Sequence, residues 1–131
     1  MATAGSRRGI VTHNILDYQA VPNDESTFEM EFENAAALMY ALQDASEQSV
    51  DGLIHEVLIP EGYWFSMMPI QSYNIANVTL RIDGEIKVSK RHTRFPVIYH
   101  FKGWDGKQWD NKLWSVFFFE GVTNFRIVGK G

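Results

Sequence analysis

The loop GWDGKQWDNKLW contains the residues of this sequence whose types are best suited to ligand binding or catalysis. Asp105 and Asp110 are two carboxylates within one short loop that also contains Trp104, Trp109 and Trp114. Acids flanked by tryptophans could line a sugar site, because aromatic faces stack on the apolar faces of sugar rings. The alternative is a solvated loop whose tryptophans anchor it to the body of the domain, and the usual deep burial of tryptophan favours this alternative.

A basic cluster, KVSKRHTR, precedes this loop and includes Lys90, Arg91 and Arg94. Arginine offers bidentate hydrogen bonds to carboxylates, so the cluster could bind an acidic polysaccharide. The alternative, which such runs more often represent, is an exposed loop between strands. If the two segments act together, the predicted carbohydrate-binding residues are Trp104, Trp109, Lys90, Arg91 and Arg94.

Recognisable catalytic and metal-binding patterns are missing from the sequence. The four histidines do not show metal-ligand spacing, and there is no cysteine. Neither a glycine-rich phosphate loop nor a Ser, Cys or His nucleophile motif is present. We therefore predict no catalytic residues, no metal site and no cofactor.

Composition predicts one folded domain over residues 1–131, because 45% of the residues are hydrophobic and 14% are aromatic. The net charge of −4 argues against a nucleic-acid partner. No apolar run is long enough to cross a bilayer, so no membrane partner is expected. The first residues lack the apolar block of a secretory signal, and the sequence does not identify a compartment.

One clear helix, with shorter segments before it, is predicted among the elements that would position these residues. Residues 1–14 are expected to be a flexible N-terminal segment, and the apolar run closed by Pro22 predicts a short strand and a turn. The alternation in FEMEFE predicts a half-buried strand or an extended lead-in. Asn34 is the expected N-cap of a helix over 34–48. The buried face of this helix should consist of Leu38, Ala41, Leu42 and Ala45.

The pattern over residues 53–131 predicts short β-strands separated by turn residues. Ile59, Ile82 and Ile127 occupy equivalent places in LIPEG, RIDGE and RIVGK, and their nearly regular spacing suggests the repeat of a β-solenoid. A sandwich or barrel is the alternative, because these folds also contain short strands at regular intervals.

The order of the motifs resembles the beginning of the pectin-lyase-like proteins, and more narrowly glycoside hydrolase family 28, the polygalacturonase type. The motifs are ILDYQAVPND, NAAALMYALQDA, VLIPEGYWF, MPI, NVTLRIDGEIKVS and FFFEGVTNFRIVGKG. The resemblance implies an all-β fold: a short right-handed parallel β-helix, in which the helix over 34–48 is an N-terminal cap. It also implies a secreted protein, although the chain shows no signal. Val57 and Ile59 should then stack inside the turns, with His55 and Arg81 pointing outward.

The sequence also departs from the family pattern. The first strand motif reads DYQAV, without the family's glycine, and NDESTFEMEFEN replaces the usual lead-in to the helix. The Asn-Thr-Asp, Asp-Asp, His-Gly and Arg-Ile-Lys motifs that carry catalysis in the family are absent. The chain by itself is therefore expected to have a structural role in a polygalacturonase-like protein and not to be an enzyme.

The last predicted turn would expose an apolar edge, and such edges invite strand addition. Its predicted interface residues are Phe117, Phe118, Phe119 and Phe125. The expected partner is another copy, giving a homo-oligomer, or a second chain that completes the β-helix. A carbohydrate-binding module that uses the Trp104–Trp114 loop remains the alternative function.

Overall fold

The computed structural model of the chain describes residues 9–91 and 117–130 in full, and the backbone of 97–102 and 109–113. Its helix is α1 (Phe28–Gln48), and 3-10 turns lie at Ile15–Tyr18 and Ser49–Asp51. The strands are β1 (Ile10–Asn14), β2 (Ile54–Ile59), β3 (Trp64–Met67), β4 (Ile70–Tyr73), β5 (Ala76–Ile82), β6 (Glu85–Val88), β7 (Val97–Lys102), β8 (Trp109–Leu113), β9 (Phe117–Glu120) and β10 (Thr123–Gly129).

The described strands pair in four small sheets. The largest is parallel and has the order β1-β2-β5-β10. Two further parallel sheets are the pairs β3-β6 and β4-β9, and β7 pairs with β8 in antiparallel orientation. β1, which lies within the segment expected to be flexible, is thus an edge strand of the largest sheet.

The predicted all-β fold, a short right-handed parallel β-helix with a capping helix, is wrong. The described residues form one helix and short strands in small sheets of two to four strands, three of them parallel, and these sheets do not form a solenoid. The intervals between paired strands are unequal. His55 pairs with Val78, whereas Val78 pairs with Phe125 across a stretch about twice as long, which contains the antiparallel pair β7-β8.

The register of β10 also differs from the predicted repeat. Ile59 pairs with Ile82, as the spacing suggests, but Ile127 pairs with Leu80. Gly129 is the residue that lies beside Ile82. The residues of the repeated motif therefore do not occupy equivalent positions in the sheet.

The helix begins six residues earlier than the predicted Asn34, at Phe28. Its N-cap is Thr27, whose hydroxyl accepts a hydrogen bond from the Met30 N–H at 3.1 Å. The acidic residues of the first turn, Glu29 and Glu31, suit the positive end of the helix dipole. The alternating segment is therefore the first part of the helix and not a strand.

The predicted buried face of the helix is confirmed. Leu38, Ala41, Leu42 and Ala45 are fully buried in the core. They belong to one cluster with strand residues that include Val57, Ile59, Phe65, Ile70, Val78 and Leu80. A helix thus covers one side of the parallel strands, which is the usual way for such strands to be buried. Within the described part of the chain, no helix is long and apolar enough to span a membrane.

Asn34 has a different role from the predicted one. It is fully buried within the helix, where its side-chain oxygen accepts from the Val21 N–H at 2.7 Å. Its amide group donates to the carbonyls of Val21 and Ser66, at 3.1 and 2.8 Å. This side chain ties the segment before the helix and β3 to the first half of α1.

Candidate functional site

The predicted tryptophan loop falls mostly outside the described residues, which exclude Trp104, Trp114 and Arg94. Trp109 begins β8, and the backbone places it opposite Lys102 of β7. The proposed sugar-binding role of this loop stays a prediction.

Arg91 and Lys90 of the basic cluster follow β6 and have different environments. Lys90 is exposed, whereas the Arg91 guanidinium donates to the carboxylate of Glu31, which is only 1% exposed. The same carboxylate accepts hydrogen bonds from the hydroxyls of Ser66 and Ser89, the latter at 2.8 Å. Arg91 therefore neutralises a buried acid of the protein itself.

The four phenylalanines of the predicted interface lie on β9 and β10. Phe117, Phe119 and Phe125 are partly buried and pack against the core, with 4.8 Å between the ring centroids of Phe119 and Phe125. Phe118 forms an edge contact with Tyr73, at a centroid distance of 6.1 Å. β10 is an edge strand of the four-stranded sheet, and association of copies there stays a prediction.

A groove of about 500 Å³ lies between α1 and the end of β4, and we call it the aromatic groove. Three aromatic side chains on its walls are unusually exposed: Phe32 (57%), Tyr40 (66%) and Tyr73 (46%). Its other lining residues are Ala36, Met39, Gln43, Gln71, Ser72, Asn74 and Ile75. Large exposed apolar surfaces of this kind often mark binding sites.

The helical part of the groove follows from residue spacing. Phe32, Ala36, Tyr40 and Gln43 recur at intervals of three and four, so they form one stripe along α1. This stripe lies on the opposite side of the helix from the buried face around Leu38. Sequence reasoning missed it, although aromatic residues on the polar side of an amphipathic helix are a usable signal.

The polar groups of the groove keep unused hydrogen-bonding capacity. The Tyr73 hydroxyl donates to Gln71 Oε1 at 2.7 Å, which leaves the Gln71 amide N–H groups without an acceptor among the described residues. Gln43 Nε2 donates to Glu47 at 3.3 Å, and its carbonyl oxygen remains an acceptor. Amides can thus offer both donors and acceptors to a ligand beside the rings.

The described residues that line the aromatic groove include no ionisable side chain other than the tyrosine phenols. A charged ligand would lose its hydration there without gaining a countercharge. The arrangement can therefore bind an uncharged ligand that has both apolar faces and hydroxyl or amide groups.

A second polar arrangement links β1, β2 and the helix. His13 Nε2 and His55 Nδ1 are 2.9 Å apart, and both side chains are buried. His55 Nε2 lies 3.0 Å from Asp51, while His13 contacts the Tyr18 hydroxyl, which donates to Asp44. The predicted outward orientation of His55 is wrong, because it shares the inward side of β2 with Val57 and Ile59.

Burial and the neighbouring His55 lower the pKa of His13. The unfolded chain then binds more protons than the folded chain once the pH falls below the ordinary histidine pKa of about 6.5. We expect stability to be fully present above this pH and to decrease as the pH falls to 5. Thermal unfolding between pH 8 and 5 should show the decrease, and His13→Gln should flatten it. An equally steep decrease in the variant would contradict this assignment.

Asp51 titrates in a separate pH range. Its pKa is lowered first by the Leu53 N–H and then by the hydrogen bond to His55. Its contribution to stability is lost only below about pH 4, so it does not account for a change between pH 8 and 5. Within the described part of the chain, no group of three or more acidic or histidine side chains could hold a metal ion.

Comparison with known proteins assigns no relatives. No protein-family model, curated protein or solved structure matches the chain. The resemblance to family 28 therefore stays a prediction.

Proposed function

We propose that the chain is a saccharide-binding domain and that its site is the aromatic groove. The observation that carries the proposal is the exposure of Phe32, Tyr40 and Tyr73 around one cavity with three amide side chains. Small-ligand sites are typically concave, partly apolar and of a few hundred Å³, with few but well-placed polar groups.

A sugar ring matches both kinds of surface in the groove. Its C–H faces can be covered by the rings of Tyr40 and Tyr73, which supply large apolar area at low entropic cost. Its hydroxyls are donors and acceptors, as the amides of Gln43, Gln71 and Asn74 require. A purely apolar ligand would instead leave these amides buried without partners.

The charge distribution favours a neutral saccharide over an acidic one. None of the described residues that line the groove is a cation that could pair with a carboxylate, and the whole chain carries a net charge of −4. Arg91, expected to bind an acidic polysaccharide, already pairs with Glu31. The proposed ligand class therefore differs from the acidic polysaccharide suggested by the basic cluster.

Tyr40→Ala should weaken saccharide binding by about tenfold, which corresponds to 1.4 kcal/mol, because it removes the most exposed ring of the groove. Calorimetric titration with neutral hexasaccharides of glucose, xylose, mannose and galactose would identify the preferred sugar. The side chain is 66% exposed, so the free energy of unfolding should change by no more than about 0.5 kcal/mol.

Tyr63→Ala is the matched control. Tyr63 is also a partly exposed tyrosine (38%), but it lies outside the groove, 6.4 Å from the ring of Phe65. This variant should bind sugar like the original protein. Equal losses in both variants, or binding of oligogalacturonate without binding of any neutral sugar, would contradict the proposal. The second result would point to the Trp104–Trp114 loop.

A further inference from the structure

A second cavity, of about 490 Å³, lies at the start of the strands of the largest sheet, and we call it the arginine cavity. It is separate from the aromatic groove, because the two have no lining residue in common. Its walls are formed by Ser49, Gly52, Leu53, Ile54, Asn77, Thr79, Asn124 and Arg126. Among these described lining residues, Arg126 alone has a charged side chain.

Two amide side chains meet in this cavity because β5 and β10 are parallel and in register. Asn77 and Asn124 both have left-handed backbone conformations, with φ of 60° and 48°. Asn124 Nδ2 donates to Asn77 Oδ1 at 3.0 Å. This bond leaves the Asn77 N–H groups and the Asn124 carbonyl oxygen available, since the structure shows no other described partner for them.

Arg126 is exposed and lies opposite Thr79 in the register of the sheet. None of the acids that the structure describes forms an ion pair with it. This situation differs from that of Arg81 and Arg91, whose guanidinium groups pair with Glu56 and Glu31. No described residue accepts a hydrogen bond from the Arg126 guanidinium, whose fork of N–H donors fits a carboxylate.

The remaining polar groups near the cavity limit how much negative charge it could bind. The single O–H of Ser49 already lies near two backbone carbonyls, at 2.7 Å from that of Ser46 and 3.2 Å from that of Ala76. Asp51 is close in sequence, but its carboxylate accepts from the Leu53 N–H and from His55. The cavity thus offers the unpaired cation Arg126, and the nearby Asp51 carboxylate already has its own hydrogen-bond donors. This arrangement suits a ligand with a single negative charge better than a dianion.

We propose that the arginine cavity binds a small hydroxycarboxylate. The carboxylate pairs with the guanidinium of Arg126, and ligand hydroxyls hydrogen-bond to the amides of Asn77 and Asn124. This site is independent of the saccharide groove, because it uses other residues and requires a negative charge on the ligand.

The test uses gluconate and sorbitol, two six-carbon molecules that differ in the carboxylate. Titrations followed by two-dimensional NMR should show gluconate shifting the side-chain signals of Arg126, Asn77 and Asn124, whereas sorbitol leaves them unchanged. Arg126→Gln should raise the gluconate dissociation constant at least about tenfold, as expected for loss of a charge-assisted bidentate pair.

Lys130→Gln is the control, because it removes the same charge just beyond β10. Lys130 is 66% exposed and pairs with Glu61 outside the cavity. Unchanged gluconate affinity in this variant supports a specific site. The proposal is overturned if gluconate causes no shifts, if sorbitol binds equally well, or if both variants weaken binding to the same extent. Tighter binding of inorganic phosphate than of gluconate would also overturn it.

Discussion

Arg91→Met is expected to lower the free energy of unfolding by about 3 kcal/mol, because it leaves the buried carboxylate of Glu31 without its cation. Glu31 is 1% exposed and would keep only the hydroxyls of Ser66 and Ser89 as partners. Breaking a buried ion pair typically costs about 3 to 5 kcal/mol. We expect the lower end of this range because the Arg91 side chain is 36% exposed.

Denaturant unfolding would measure this effect, and Lys90→Met provides a matched control. Lys90 is the adjacent exposed cation, so its replacement should change stability by at most about 0.5 kcal/mol. The double variant Glu31→Met, Arg91→Met should recover most of the loss, because an apolar pair leaves no buried charge. If Arg91→Met and Lys90→Met have the same small effect, the ion pair does not stabilise the fold.

The Glu31–Arg91 pair shows a limit of sequence patterns. The alternation of FEMEFE predicted a half-buried strand or an extended lead-in, and the basic cluster suggested either a ligand or solvent beside Arg91. The two residues are 60 positions apart, and they meet because α1 packs against β3, which pairs with β6, the strand that precedes Arg91. Local spacing can place each residue on an element, but it does not reveal a pairing between distant elements.

The helix illustrates what the sequence could provide. Its buried face around Leu38 follows from a spacing of three and four residues, and the structure confirms it. Prediction of the aromatic groove would also require the position of Tyr73, which lies at the end of β4 beside the outer stripe of α1. The contact between His13 and His55 likewise depends on the parallel pairing of β1 with β2. These arrangements are tertiary, and the helical and strand periodicities do not encode them.

The Arg-Ile-x-Gly repeat misled the fold prediction, yet its glycines share a physical role. A side-chain carbon on Gly84 would lie 2.2 Å from the carbonyl oxygen of Pro60, and one on Gly129 would lie 2.0 Å from that of Ile82. Each glycine therefore lets the chain pass close to the backbone at or just beyond the end of an earlier strand. The motif marks a local close approach, which any crowded pair of parallel strands can require, and not a constant repeat length.

Gly84→Ala is consequently expected to destabilise the protein by about 3 kcal/mol, at the upper end for an overpacked site. The added carbon would contact the carbonyl oxygens of Pro60 and Tyr63, at 2.2 and 2.6 Å, and neither is a side chain that can rotate away. Relief of these clashes would require the backbone around Gly84 to move. Such a movement would disturb the hydrogen bond from the Gly84 N–H to the Ile59 carbonyl oxygen, whose N···O distance is 2.9 Å. Thermal or denaturant unfolding would measure the loss.

Gly62→Ala separates this steric cost from the general cost of replacing a turn glycine. Gly62 has a φ of +89°, but a side-chain carbon there would meet nothing within 4 Å. Its replacement should cost about 1 to 2 kcal/mol, the strain of a left-handed residue alone. Gly84→Ala should therefore be the more damaging variant, although alanine at Gly84 is not required to adopt a positive φ. The reverse order would mean that the strands near Pro60 separate easily, and close approach would no longer explain the glycine of the repeat.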